Sequence, residues 1–410
     1  MGVIESEARQ RTRLGGRGSP PGALVLGGDY RALGVVRSLG RRGVPVWVVR
    51  QGDDGLAALS RYARRRFPWP DNADEQSQLD ALEDIARAGA RGWALIPSSD
   101  ETASLVGRHH ERLAQRFLLT SPAWDVLRFA CDKRLTYTLA DSLGLDTPST
   151  WYPGDRAAAE ALDLEYPVIL KPAWKEGFNR LTAAKAWRVD DRDEMLRAYD
   201  EACTMVSPRT LMVQELIPGG GEAQFSYAAL CDGGRPLASV IARRARQYPP
   251  DFGRASTYVE TVGCDEVVAP SLRLLEALAF TGLVEIEYKR DPRTGRFKLL
   301  DVNPRVWGWH TLCGRAGVDF PYLLWLALRG EDVGRPSAQV GTRWVRTATD
   351  LPMAAKELLA GRMSLRTYLR SLRGPVEGAI FARDDPAPGL LELPLLASIL
   401  ARRLLHGDAV

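Results

Sequence analysis

The segment from Gly282 to Trp309, GLVEIEYKRDPRTGRFKLLDVNPRVWGW, constrains this chain more than any other. Val284, Ile286 and Tyr288 recur with the period of a strand, and Asp291-Pro292 followed by Gly295 supplies turn chemistry. Two strands joined by that turn carry Glu285, Glu287, Asp301 and Asn303 on one face, because strand side chains alternate sides. With the turn centred near Thr294, Glu287 falls across from Asp301. Two carboxylates, the amide oxygen of Asn303 and the guanidinium of Arg305 make a seat for Mg²⁺ and nucleotide phosphates. Mg²⁺ is a hard octahedral ion that takes one or two carboxylates plus phosphate oxygens and water. An arginine fork pairs with phosphate in two parallel hydrogen bonds. The competing reading is a solvated acidic hairpin face. Such a face does not call for Asn303-Pro304-Arg305 directly after its last acid.

Other positions join this segment. Lys171 ends the apolar run Val168-Ile169-Leu170, where a lysine is either the exposed tip of a strand or a cation held over phosphate oxygens. Lys133 lies on a helix expected from Pro122 to Leu143, and its plain reading is a surface lysine. Leu211–Ile217 reads as a strand closed by Pro218 and Gly219, with Glu222 opening the next strand. Asp232-Gly233-Gly234 is a hairpin turn signal between the strands expected at Glu222–Leu230 and Leu237–Arg243. Arg243, Arg244 and Arg246 at the end of the latter form either a solvated edge or a source of positive charge for phosphoryl transfer.

The Asp301-Val302-Asn303-Pro304-Arg305 run, with its acidic strand upstream, resembles the metal and phosphate signature of the ATP-grasp superfamily. That superfamily usually has Glu where this chain has Asp301. The resemblance runs from Ala23 to Leu328 and is nearest to the carboxylate–amine ligase branch, the D-aspartate ligase-like enzymes. It implies ATP and Mg²⁺, with Mn²⁺ as a substitute ion, and metal ligation by Glu287, Asp301 and Asn303, with Glu285 standing in for Glu287. It implies that Lys133 and Lys171 contact phosphates, and that the main chain of Glu215, Leu216 and Ile217 reads adenine. Glu222 would take the ribose hydroxyls, and Arg305 and Arg244 would neutralise charge during the reaction. One departure stands out. The family's Gly-rich phosphate flap corresponds to Ala173-Trp174-Lys175-Glu176-Gly177-Phe178-Asn179-Arg180, with a single glycine, so Lys175, Asn179 or Arg180 would have to cover the phosphates. Trp307, Trp309 and His310 read as packing residues beside the site.

The implied activity joins a small-molecule carboxylate to an amine through an acylphosphate, releasing ADP and phosphate. A bicarbonate-using carboxylase and a non-catalytic ATP-binding sensor are the alternatives within the same fold. An NAD(P)-dependent oxidoreductase using the N-terminal α/β unit is the alternative outside it. Gly27-Gly28-Asp29 does not complete GxGxxG, and Val49 is followed by Arg50 and Gln51 rather than an acid, which counts against NAD.

Composition sets the remaining limits. At 410 residues the chain has ample length for two or three domains. A net charge of +4, from 55 Lys and Arg against 51 Asp and Glu, argues for no polyanionic partner. The arginines are dispersed and lack interleaved aromatics, so no nucleic-acid platform is expected. An odd 5 cysteines without CxxC fit reduced thiols in a cytoplasmic protein better than a disulfide framework. No apolar run is long and uninterrupted enough to span a bilayer, and a homodimer is the default assembly.

The expected fold class is α/β, with α+β nucleotide domains. Residues 1–22 read as a disordered leader and 23–121 as a doubly wound pre-ATP-grasp domain. Residues 122–330 form the ATP-grasp domain, divided into a nucleotide clamp (150–217) and a metal and phosphate subdomain (218–330). Residues 331–410 form a mostly helical extension. Within the first domain, strand, Gly turn, helix and strand open the chain at Ala23. A further strand at Trp93–Ile96 ends in Pro97-Ser98-Ser99-Asp100, a helix cap. The resemblance makes the turns after these strands candidates for the substrate side.

Overall fold

In the computed structural model, residues 20–50, 55–70, 74–174, 181, 186–248 and 255–395 are described. Strands β1 (Ala23–Leu26), β2 (Val46–Arg50), β3 (Ala63–Pro68), β4 (Ala94–Pro97) and β5 (Leu118–Leu119) form a parallel sheet in the order β3-β2-β1-β4-β5. Their continuous apolar runs follow from burial on both faces. β3 is the exception. It reads ARRRFP and exposes its three arginines at the edge of the sheet, which hides it from pattern reading. In this doubly wound order the crevice lies where the direction of winding reverses, between the carboxyl ends of β1 and β4. The turns there are Gly27-Gly28-Asp29 and Ser98-Ser99-Asp100. They are packed together: Gly27 has φ +136°, and a Cβ on it would lie 2.0 Å from Ser98 Oγ.

A second sheet is antiparallel, with strands β6 (Thr150–Trp151), β7 (Val168–Pro172), β8 (Trp187–Val189) and β9 (Leu211–Glu215) in the order β6-β9-β7-β8. It is covered by the helix Arg192–Cys203, which buries Met195, Leu196 and Tyr199. The third sheet has seven strands. β10 (Gln224–Asp232), β11 (Arg235–Tyr248), β12 (Ala255–Thr261), β13 (Gly282–Arg290), β14 (Phe297–Asn303), β15 (Arg343–Val345) and β16 (Val376–Gly378) run in the order β14-β13-β10-β11-β12-β15-β16. One face carries the helix Val268–Ala277, and the other packs through Phe320–Leu328 onto the helix Tyr30–Gly40 of the first sheet. Close approach at that junction requires a glycine. A Cβ on Gly34 would lie 2.4 Å from Nε2 of the buried His310.

Two local expectations are corrected. The single helix expected from Pro122 to Leu143 is two, Trp124–Cys131 and Lys133–Ser142. Asp132 leaves helical geometry between them and caps the second by accepting from the Arg134 amide at 2.9 Å. Beyond residue 330, besides the helices Thr347–Leu359 and Leu365–Ser371, the chain adds β15 and β16 to the large sheet. All 5 cysteines are free thiols. Among the described residues no helix is long and apolar enough to cross a membrane.

Residues 379–385 tie this last segment to the N-terminal sheet. Arg37, only 5% exposed, donates to Asp385 Oδ2 (2.9 Å), to the Asp385 carbonyl (2.7 Å) and to the Ile380 carbonyl (2.5 Å). Asp385 also accepts from Ser60 Oγ at 2.7 Å and the Arg61 amide at 2.9 Å. Burial alone would push its carboxyl up, but Arg61, Ser60 and Arg37 hold it below the ordinary carboxylate range. Burial pushes the Arg37 guanidinium down, yet an arginine stays charged wherever the protein is folded, so the carboxylate sets the pH response. A carboxyl with a lowered folded pKa stabilises fully above its unfolded pKa and loses that contribution as pH falls. Asp385→Asn should therefore cost about 3 kcal/mol at neutral pH, measured by urea unfolding, because it leaves Arg37 buried without its counter-charge. The gap to wild type should narrow as the pH falls below ~4.

Candidate functional site

The β13–β14 hairpin has the expected register: Glu285 pairs with Asn303 and Glu287 with Asp301. Asp291 closes the turn, its amide donating to the Arg296 carbonyl at 2.8 Å, while Gly295 takes φ +73°. A bulge after Glu287 interrupts the pairing, and the Leu300 carbonyl accepts from Tyr137 Oη at 2.9 Å. Glu285 and Glu287 are 3% and 9% exposed. Two like charges so close and so dry are costly unless compensated.

Compensation comes from several other elements. Asn303 Nδ2 donates to Glu285 Oε2 at 3.1 Å and to Glu287 Oε1 at 3.0 Å, joining the two. Glu285 Oε1 accepts from Ser226 Oγ at 2.9 Å and Trp309 Nε1 at 2.8 Å. Arg244 reaches Glu287 Oε2 at 3.3 Å, and Lys133 Nζ meets Asp301 Oδ1 at 2.5 Å. Burial would lower the Lys133 pKa, but Asp301 raises it overall and keeps the ammonium charged. Burial and the neighbouring Glu287 push the Glu285 carboxyl up to about 7.

These groups border a cavity of about 540 Å³. Ile169, Ala186, Leu216, Ile217, Leu300 and Val302 form its apolar walls, and Lys133, Lys171, Lys289, Glu287, Asp301 and Asn303 its charged side. Apolar walls with a few convergent polar groups are the common form of a small-molecule site. Lys289 Nζ donates to the Ile217 carbonyl at 2.7 Å, so one buried lysine secures the chain where β9 ends. Burial lowers its pKa. The Glu215 side chain is held by Lys298 at 2.7 Å and by Arg293, and accepts from the Ser149 amide at 3.1 Å.

The structure thus brings Lys133, Lys171, Glu215, Leu216, Ile217, Glu287, Asp301 and Asn303 to one cavity. Arg244 and Arg305 are not among its lining residues. They pair with Glu287 and Asn303, which are. Glu222 is also outside the lining. It sits in the turn Gly221–Ala223, ahead of a strand that begins only at Gln224, and its carboxylate accepts from the Gly220 amide at 2.9 Å. Of the other two arginines, Arg243 pairs with Glu260 and Arg246 with Asp350, a buried acid of the helix Thr347–Leu359. Lys175, Asn179 and Arg180 lie outside the described residues. Lys289 was missed, and Asp100 was singled out only as part of a turn on the substrate side. Lys289 follows Glu285 and Glu287 at the same period of two, so alternation alone could have found it. Asp100, which lines the cavity and holds Arg305, has no spacing signal.

The donor set fits a hard divalent cation. Glu287 and Asp301 offer carboxylate oxygens at the cavity, while Asn303 gives its Oδ1 to Arg305 and its Nδ2 to Glu285 and Glu287. Among the described residues no group of three His, Cys, Asp or Glu could hold a metal. A Mg²⁺ ion takes one or two carboxylates and completes its octahedral shell with phosphate oxygens and water.

Comparison with known proteins agrees with this geometry. The family model described as ATP-grasp in the biosynthetic pathway with Ter operon matches residues 207–349. A D-aspartate ligase of Enterococcus faecium is 22% identical over 298 residues, covering 69% of this chain and 70% of the relative. An L-amino acid ligase from Bacillus licheniformis superposes with a TM-score of 0.60 at 18% identity, over 78% of this chain and 76% of that one. A biotin carboxylase from Campylobacter jejuni, solved as a β-γ-ATP complex, gives 0.61 at 17% identity over 78% of this chain and 74% of its own. At these identities the superpositions speak for the fold. Taken with the family model over residues 207–349 and the sequence relative, they give this chain the ATP-grasp fold and make it similar to the carboxylate–amine ligases of that superfamily.

Proposed function

We propose that this chain is an ATP-dependent ligase that activates a small-molecule carboxylate and joins it to an amine. The observation that carries the reading is the convergence of Glu287, Asp301, Lys133 and Asn303 on a cavity whose other wall includes Leu216 and Ile217, just after β9. An oxygen of the substrate carboxylate attacks the γ-phosphorus of ATP, and the bond to ADP breaks. The amine nitrogen then attacks the acyl carbon of the acylphosphate, phosphate leaves, and the nitrogen loses a proton as the amide forms. Mg²⁺, or Mn²⁺ in its place, would be held by Glu287 and Asp301, with Asn303 bracing Glu287, and would supply charge neutralisation along the phosphates.

The remaining work falls to the chain's own residues. Lys133 and Lys171 hold phosphate oxygens, and the main chain of Glu215, Leu216 and Ile217 orients adenine against Ile169 and Val302. Arg244 and Arg305 balance charge through Glu287 and Asn303, one side chain removed from the cavity. This role differs from direct phosphate contact and follows from their pairing. Glu222 keeps its assignment to the ribose only if the turn at Gly221 opens on binding. Positioning and charge neutralisation need no enzyme-bound covalent intermediate.

A carboxylase using bicarbonate is the second reading, supported by the likeness in fold to biotin carboxylase. ADP and phosphate release from Mg-ATP, measured against pooled carboxylates and amines, separates the two. Release that needs both a carboxylate and an amine is the ligase result, whereas release driven by bicarbonate alone overturns it. In the same assay Glu287→Gln should lower turnover about 10²-fold or more with an unchanged circular dichroism spectrum. Lys171→Ala should weaken nucleotide binding by about tenfold or more in calorimetry, the loss of one charge-assisted hydrogen bond.

A further inference from the structure

The crevice of the N-terminal sheet is where a doubly wound fold places its ligand contacts, at the carboxyl ends of β1 and β4. Here a side chain from another part of the molecule enters it. Arg305, following β14, donates through Nε to Asp100 Oδ1 at 2.8 Å and through Nη2 to Asp100 Oδ2 at 3.2 Å. Asp100 begins the helix Asp100–Arg108 directly after the Ser99 cap, so its backbone is fixed by the capping box of Ser99 and Thr102. The neighbouring Asp29 is taken by Arg31, at 2.5 Å.

Held in this way, Arg305 turns the same Nη2 onto Asn303 Oδ1 at 3.1 Å. That bond fixes which end of the amide faces which way. With Oδ1 receiving Arg305, Nδ2 points at Glu285 and Glu287 and bonds both. A continuous line of contacts therefore runs from the β4 turn through Asp100, Arg305 and Asn303 to the buried glutamates.

We infer that Asp100 is a positioning residue for metal-dependent nucleotide binding: by holding Arg305 it turns Asn303 Nδ2 onto Glu285 and Glu287, and the N-terminal sheet thereby fixes the Glu287 carboxylate at the metal end of the cavity. This rests on the ligase reading only in requiring that the cavity take a metal–nucleotide complex. Partners that orient a metal's ligands carry a characteristic cost when removed, about 10- to 100-fold in metal affinity.

The test is binding of ADP to the full chain by calorimetry across a Mg²⁺ titration, with wild type, Asp100→Ala, Asp100→Asn and Asp100→Glu. The expected result for Asp100→Ala is a rise of about tenfold or more in the Mg²⁺ concentration giving half-maximal enhancement, with ADP binding in EDTA within about twofold of wild type. Asp100→Glu should recover most of the loss. Asp100→Asn, which keeps the shape but not the charge, should fall between and serves if the alanine variant does not fold. Asp385→Asn loosens the same pair of sheets elsewhere and should leave the Mg²⁺ dependence unchanged. Equal Mg²⁺ dependence in wild type and both the Ala and Asn variants overturns the inference, as does an equal shift in Asp385→Asn. A wild-type chain that binds no ADP at any Mg²⁺ concentration overturns the nucleotide reading itself, and the inference with it.

Discussion

Three carboxylates cannot share one buried face of a hairpin unless positive charge is brought to them. That constraint, set by Glu285, Glu287 and Asp301 on β13 and β14, organises much of what surrounds the cavity. Lys133 comes from the start of a helix capped by Asp132, Arg244 from β11, and Arg305 from beyond β14, where it is braced by the N-terminal sheet. Each sits on a different element, so the site exists only when the elements are docked. Burial, with Glu287 beside it, still holds the Glu285 carboxyl above its ordinary range after this compensation.

Docking relies on equally specific packing. The helix Tyr30–Gly40 approaches the large sheet closely because Gly34 leaves room for His310, while Arg37 on the same helix reaches across to Asp385. The neighbouring acid Asp384 bonds Arg41 at 2.7 Å and Tyr62 at 2.8 Å. One short helix therefore meets the residues after the site's hairpin and the last described segment of the chain. Segments distant in sequence are held as one body around a cavity that no single sheet could form.

What could be read beforehand followed from periodicity. The hairpin register was legible because one face of β13 and β14 alternates cleanly, and a slip of one residue would have buried the wrong set. The parallel sheet was legible in its central strands, whose apolar runs end at glycine and serine turns. The Arg-rich edge strand β3 was not, because an exposed edge needs no apolar pattern. β15 and β16 were hidden for a different reason: with 3 residues each, they are too short to show a period. Contacts such as Asp100 with Arg305 and Arg37 with Asp385 join residues far apart in the chain, and spacing rules carry no information about them. The strand start was read two residues early, at Glu222, because Gly219, Gly220 and Gly221 extend the turn past it.

If Glu287 and Asp301 hold the metal of a bound nucleotide, anomalous diffraction from crystals grown with ADP and Mn²⁺ will locate it. The expected result is a manganese peak within ligand distance of Glu287 and Asp301, with adenine against the main chain of Glu215 to Ile217. Nucleotide bound in the cavity with no metal peak beside these side chains, or with manganese ligated by other residues, would contradict it.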